Sequence, residues 1–318
     1  MFRLRPIRRK KKRVDWRALR SVQTALWVML ALAIAAGAAL TQLPRIGLPS
    51  GAAQARPSPK LDRTTLAQLP SIQSGSVPAA GALVRHLPAI AIVVDDMGND
   101  AVNDRRAIAL PGAVALSFLP YPDETAKLAE EGARAGHEIL VHVPMQAEDD
   151  EDPGPMALRI DQAPLEIVRR LEWALGRVPG FVGINNHMGS RFTEDRAALV
   201  PVVEALSERR VFFFDSRTSA SSQVVAVARA FGVPSAARDV FLDDVQKPDA
   251  VAAQLSLLEK DARENGVAIA IGHPHEVTMA VLAEWCAKLS GYRLIPISLA
   301  IRMKTEREMG ASLSALGR

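Results

Sequence analysis

Five short apolar runs in this 318-residue chain end in a side chain that can hold a metal ion or move a proton. The run at 90–94 leads into Asp95-Asp96, the run at 138–141 into His142, and the run at 181–185 through Asn186 into His187. Residues 211–214 lead into Asp215-Ser216, and 267–272 into His273, with His275 just beyond. Two adjacent carboxylates in one pocket repel each other unless a cation or a shared proton compensates, and a metal is the simplest remedy. The plainer alternative is that one aspartate caps the following helix while the other faces water. A lone histidine is ordinarily a hydrogen-bonded structural residue, so the information lies in repetition. Of six histidines, four follow apolar runs at their C-terminal ends, whereas His86 lies in a proline-rich stretch and His137 precedes a run.

The runs read as β-strands. Candidates are 90–94, 114–119, 138–143, 181–185, 211–214, 240–242, 267–271 and 294–297. Several are near-continuous Val, Ile and Phe, as expected where both faces of a parallel sheet are covered. Helical patterns with visible boundaries separate them. Pro164 opens one with Ile167, Val168, Leu171 and Leu175, and Thr193 caps another carrying Leu199, Val202, Val203 and Leu206. Pro248 opens a third with Val251, Leu255, Leu258 and Ala262, closed by Asn265-Gly266. This alternation implies parallel strands joined by helical crossovers, hence an α/β barrel or doubly wound sheet of about 215 residues. In such folds sites gather at the C-terminal ends of strands, where the Asp and His residues above fall.

The motifs carry a resemblance. Val93-Val94-Asp95-Asp96 is similar to the first motif of the polysaccharide deacetylases, metal-dependent carbohydrate esterases with a distorted (β/α)7 barrel, and Gly136-His137-Glu138-Ile139 leading to His142 is similar to the run before their second motif. More specifically, His142-Val143-Pro144-Met145, Asn185-Asn186-His187-Met188-Gly189-Ser190, Phe214-Asp215-Ser216-Arg217-Thr218 and Gly272-His273-Pro274 together resemble the divergent polysaccharide deacetylase family of bacterial envelope proteins. The likeness covers about residues 89–301 in consistent order. It implies an α/β, distorted (β/α)7 barrel of the polysaccharide deacetylase type. It also implies a divalent metal, zinc by its ligands, held by Asp96, His142 and His187, with a position left open for water. The mainstream second motif has a second histidine where this chain has Gln146, a poorer ligand than imidazole; His187 would supply the missing nitrogen.

By the same likeness, Asp95 is the base that takes a proton from the attacking water, and His273 is the acid that protonates the departing amine. Asp215 orients His273 and keeps it charged, and Asn186 and Ser216 lie against the substrate. The implied activity is hydrolysis of acetyl groups on an N-acetylated or O-acetylated envelope polysaccharide. The alternative is a non-catalytic, membrane-tethered metal- or glycan-binding protein. Gln146 speaks for this alternative, and the joint presence of Asp95, Asp96, Asp215 and His273 for the enzyme.

Other chemistries fail on spacing. An HAD-type phosphatase needs Asp-x-Asp, and neither aspartate of the pair has an acid two residues later. No Gly-x-x-x-x-Gly-Lys-[Ser/Thr] loop and no Gly-x-Gly-x-x-Gly after a strand is present, and neither Ser190 nor Ser216 sits in a Gly-x-Ser-x-Gly elbow. His275 reads as structural or peripheral. Asp243-Asp244 reads as pocket rim or, more simply, as capping before the Pro248 helix, and the acid run 148–152 reads as a solvated turn. The chain holds 39 Lys/Arg and 35 Asp/Glu, but ten of the bases and only Asp15 of the acids lie in residues 1–20, leaving 29 bases against 34 acids. A folded nucleic-acid-binding domain is therefore not expected. With Cys286 the sole cysteine, an internal disulfide and a multi-cysteine metal cluster are excluded.

After the basic tail (1–21), residues 25–40 carry no polar side chain, and 22–43 is interrupted only by Gln23, Thr24, Thr41 and Gln42. Such a stretch makes roughly 33 Å of helix, enough for a bilayer core of about 30 Å. The cluster at 8–13 holds its N-terminal side in the cytoplasm. The expected arrangement is a single inner-membrane span with the folded domain in the periplasm. Cleavage near Ala53-Gln54-Ala55 would instead release a soluble secreted form. Seven prolines in 44–88 mark a flexible tether, 89–304 the catalytic domain and 305–318 a frayed tail. Protein partners are not readable. A reporter fused after residue 60 should be exported and should stay with membranes through high-salt washing; cytoplasmic retention would overturn the topology.

Overall fold

A computed structural model of the protein describes residues 87–149 and 151–316, with side chains as far as residue 308. The basic tail, the 22–43 segment and nearly all of the tether lie outside the described residues. No helix among the described residues is long and apolar enough to cross a membrane.

Strand and helix alternate along the chain. In order they are β1 (Ala89–Met97), α1 (Ala101–Ile108), β2 (Ala115–Phe118), α2 (Thr125–Arg134), β3 (Ile139–Met145), α3 (Pro164–Leu175), β4 (Phe181–Met188), α4 (Arg196–Arg209), β5 (Phe212–Asp215) and α5 (Val224–Ala230). There follow β6 (Ser235–Ala237), β7 (Val240–Phe241), α6 (Pro248–Asn265), β8 (Val267–Gly272), α7 (Glu276–Lys288), β9 (Arg293–Leu294) and α8 (Ile297–Leu316). Every strand pairing is parallel. The spatial order is β6-β5-β4-β3-β2-β1-β8-β7, with β9 joined to the start of β1. This is the sequential order of a ring cut between β6 and β7, without the reversal that marks a doubly wound sheet. The sheet is thus a curled, incomplete barrel. Among the described residues it has nine strands, the eight read from the sequence together with β6, which the sequence reading missed; the resemblance implied seven. At the cut, consecutive residues reach opposite sides: the Arg238 amide donates to Asp215 O of β5 at 3.1 Å and the Asp239 amide to Ile269 O of β8 at 2.8 Å.

The helix boundaries follow local chemistry. Pro164 and Pro248 open α3 and α6, and α6 stops at Gly266, whose φ of 74° is left-handed. At α4 the cap is Asp195, whose side chain accepts from the Ala197 and Ala198 amides, not Thr193. Thr193 instead lies in a 3-10 turn and donates to Gly189 O.

Period-two alternation divides the core. Ile90, Ile92 and Val94 of β1 face the outer helices, while Ala89, Ala91 and Val93 face the barrel interior with Leu140, Phe212, Phe214, Val267, Ile269 and Ile271. The interior is closed from below by Ile297, Ala300 and Ile301 of α8. Glu138, at the start of β3, accepts from both the amide and the hydroxyl of Ser298 in that helix's first turn. The tail expected to fray is helical to Leu316. Polar contacts hold its last described side chains: Lys304 pairs with Asp239, Arg307 donates to Asn265, and Arg229 pairs with Glu308. A sequence search for an apolar stripe does not find such an anchor.

Gly183 on β4 faces inward against the Phe212 ring, and a Cβ there would lie 2.3 Å from a ring carbon. Gly183→Ala should therefore destabilise the fold by about 1–3 kcal/mol, the usual cost of overpacking. Thermal melting would register this as a lowered midpoint; an unchanged midpoint would mean that the ring moves aside freely.

Candidate active site

The inward positions of the strands continue upward into polar residues. Beyond Ala89, Ala91 and Val93 comes Asp95; beyond Leu140 comes His142; beyond Ile269 and Ile271 comes His273; and beyond Phe212 and Phe214 comes Ser216. Gly183, Asn185 and His187 share the inner face of β4, and Ser117 that of β2. Asp96 would point outward by this count. It turns into the mouth because β1 breaks register between Val94 and Met97 and Asp96 takes a left-handed φ of 57°. The buried Asp104 of α1 supports the turn, accepting the Gly98 amide at 3.0 Å.

Asp96, His142 and His187 each direct a ligand-type atom to one point, all within 4.8 Å of one another. Asp96 Oδ1 lies 2.8 Å from His187 Nδ1 and 3.2 Å from His142 Nε2. Neither contact has hydrogen-bond geometry, and this buried oxygen has no hydrogen-bond partner. An orphaned carboxylate oxygen between two imidazole nitrogens fits a cation bound among them, and two imidazoles with a carboxylate suit zinc. Burial alone would raise the Asp96 pKa, but His142 and His187 outweigh it and hold the carboxyl well below the ordinary range.

Asp95 is buried, and both its oxygens accept from Asn185 Nδ2, at 2.8 and 3.0 Å. Burial pushes its pKa up, against the attraction of His142 and His273. On the other side of Asp96, His273 turns Nε2 to within 3.9 Å of Asp96 Oδ2. Its Nδ1 is held at 3.0 Å by Asp243 Oδ1, while Asp243 Oδ2 accepts from the His273 amide and from Thr278. Asp243 therefore orients His273, a role the sequence reading gave to Asp215. Asp215 lies on the outward parity of β5, where it accepts from Ser222 and from the Arg217 amide.

Asn186 also has outward parity. It joins the loops after β4 and β5, donating to Met188 O and accepting the Ser216 amide, and is fully buried rather than placed against a substrate. Ser216 does reach the interior, but it is buried and its hydroxyl accepts from Asn185. Gln146 Oε1 accepts the Ile160 amide at 3.0 Å, so its side chain fastens the following loop. His275 precedes α7 and contacts Gln246. The sequence reading gave no role to Asn185 and Ser117, although the two-residue alternation that marks His142 also marks them, and Asp243, read there as pocket rim or helix cap, is the partner of His273. Beside Asp96 a cleft of about 230 Å³ is lined by Asp96, Asn99, Asp100, Asn103, His273 and His275. A larger groove of about 350 Å³ between α5 and α8 contains none of these groups.

Residues 92–301 match the divergent polysaccharide deacetylase family. Two curated relatives are uncharacterised proteins. YibQ of Escherichia coli K12 is 36% identical over 195 residues, 61% of this chain and 61% of its own length; a Haemophilus influenzae protein is 36% identical over 196 residues, 61% of this chain and 69% of its own. The chain thus matches less than two thirds of the Escherichia coli relative. The crystal structure of an uncharacterised protein from Agrobacterium tumefaciens C58 is similar with a TM-score of 0.65 and 27% identity, covering 73% of this chain and 98% of that one.

Burial by itself would lower the His273 pKa, but the hydrogen bond and charge of Asp243, with the charges of Asp95 and Asp96 beyond, push it up to about 9. A raised folded-state value means that the charged ring stabilises the fold fully below about pH 6.5 and that this contribution fades as the pH rises through about 9. In metal-free protein, NMR titration should find the His273 ring changing charge near pH 9, and Asp243→Asn should move that transition down toward the ordinary histidine range. An unmoved transition would break the assignment to Asp243.

Proposed function

The chain belongs to the divergent polysaccharide deacetylase family, and on that premise we propose that it is a metal-dependent hydrolase removing acetyl groups from an N-acetylated, or O-acetylated, envelope polysaccharide. The observation that carries this reading is the orphaned Asp96 Oδ1 between two imidazoles, with a buried carboxylate on one side and an oriented imidazole on the other.

Amide hydrolysis needs an activated water, stabilisation of the tetrahedral oxyanion and an acid for the leaving amine. A divalent cation, zinc by its donors, would be held by Asp96, His142 and His187, where it supplies a Lewis acid that acidifies water and polarises the acetyl carbonyl. Asp95 accepts the proton of the attacking water. Its burial raises its proton affinity, and Asn185 fixes the direction of its lone pairs. His273 protonates the departing nitrogen from Nε2, since Asp243 occupies Nδ1. The cleft beside Asp96 and His273 gives the glycan its approach.

The proposed setting is the periplasmic face of the inner membrane, with residues 22–43 as the anchor; the basic cluster and apolar stretch of the sequence support it. Glycan and membrane are the proposed partners.

Purified protein should bind near one equivalent of zinc and release acetate from N-acetylated oligosaccharides until chelated. His187→Ala should remove the metal, whereas Gln146→Ala should not, because that side chain serves Ile160. Asp95→Asn should keep the metal yet lose on the order of 10²–10⁴ in turnover, about 3–5 kcal/mol of barrier. Zinc-loaded wild type inert toward acetylated glycans and esters would transfer the protein to the non-catalytic class.

A further inference from the structure

Asn185 lies fully buried on the inner face of β4, and its carboxamide touches both working halves of the site. Nδ2 is 2.8 and 3.0 Å from the two oxygens of Asp95 and 3.0 Å from Ser216 Oγ. Oδ1 is 2.9 Å from His142 Nδ1 and also accepts from Ser117 Oγ. A carboxamide has one donor end and one acceptor end, and its direction is fixed by whichever neighbour has no choice. That neighbour is Asp95 in its ionised form, the form a base must have, because a carboxylate only accepts. The amide nitrogen must face it, so the amide oxygen faces His142. The hydrogen in that contact then sits on His142 Nδ1. In a neutral imidazole this leaves the lone pair on Nε2, the atom 3.2 Å from Asp96 Oδ1 at the candidate metal position.

We propose that Asn185 is the positioning residue that couples the two halves, aiming the Asp95 carboxylate with its nitrogen while its oxygen selects the metal-binding tautomer of His142. The inference rests on the hydrolase reading above and deepens it. Outer partners of ligating histidines commonly control ligand orientation, and their loss typically costs 10–100-fold in metal affinity or activity. Here the same side chain also holds the base, so its two ends can be separated by substitution. Asn185→Asp keeps an oxygen toward His142 but replaces the donor facing Asp95 with a second oxygen. Asn185→Leu keeps the approximate volume and removes both ends.

The test uses full-length protein and three readouts: zinc affinity by competition with a chromophoric chelator, acetate release from an N-acetylated chitooligosaccharide, and long-range ¹⁵N–¹H spectra of the zinc-free protein. Recorded at a pH where the His142 ring is neutral, the wild-type spectrum should show it protonated at Nδ1. Asn185→Asp should keep that tautomer and bind zinc within about threefold of wild type, while kcat falls about 100-fold or more with KM little changed. Asn185→Leu should lose the tautomer preference and bind zinc about 10–100-fold more weakly. Wild-type zinc affinity in the Leu variant, wild-type kcat in the Asp variant, or an Nε2–H tautomer in the wild type would each overturn the proposal. If the Leu variant does not fold, the Asp variant and the wild-type spectrum still decide. Wild-type protein that binds no zinc would sink the hydrolase reading, while its spectrum continues to judge the placement of Asn185.

Discussion

Two neighbouring carboxylates end β1 where water cannot fully solvate them: Asp95 is buried and the Asp96 side chain is only about a third exposed. Negative charge in such a place must be met by positive charge, by hydrogen bonds or by protonation. The upper end of the sheet supplies all of these from different strands. His142 of β3 and His187 of β4 converge on Asp96, Asn185 of β4 donates to Asp95, and His273 after β8 approaches from the far side. The left-handed turn at Asp96 sends the second carboxylate into the same mouth as the first. Left-handed non-glycine residues also occur at Met188, which ends β4, and at Arg217, just after β5. Backbone strain of this kind persists where surrounding contacts over-determine it, and these three residues lie at the C-terminal ends of their strands.

The open seam of the barrel bears on the same chemistry. Because β6 and β7 do not pair, the short segment between them is tied to β5 on one side and β8 on the other. Arg238 reinforces the tie, donating to Ser216 O and Arg217 O while its guanidinium lies 4.8 Å from the centre of the Phe241 ring. Phe241 stands edge-on to His273, and Asp243, two residues further on, takes the His273 Nδ1. Asp243 and His273 thus follow the paired strands β7 and β8 on one flank of the seam, whereas the candidate metal ligands Asp96, His142 and His187 lie on the continuous run from β1 to β4. At the opposite end α8 closes the interior with apolar side chains, leaving the polar end as the route to the trio.

Gln146 shows why a departure from a family pattern must be read in three dimensions. As a substitute ligand it would be a weak one, which made it the strongest argument against catalysis. In the structure it accepts the Ile160 amide, and a histidine from the adjacent strand stands beside Asp96. The register of β3 with β4 places Pro144 opposite His187, so the two histidines reach one point from neighbouring strands instead of from one.

Much of this was legible in the residues alone. Runs of Val, Ile and Phe bounded by Pro and Gly determined where strands and helices lie, because burial on both sheet faces demands such runs and prolines suit the first helical turn. The position of Asp and His just past those runs located the functional end. The sequence did not choose among the polar residues there. Asp215 and Asn186 occupy strand ends as plausibly as Asp243 and Asn185, yet the first pair faces outward and the second inward. Alternation contained that distinction in part, but the left-handed turn that brings Asp96 inward and the segment that carries Asp243 across the seam depend on contacts between residues distant in sequence. Local chemistry determines which elements form and which side chains gather at their ends; only closure of the sheet decides which of those side chains meet, because meeting depends on register, curvature and the seam between strands far apart in the chain.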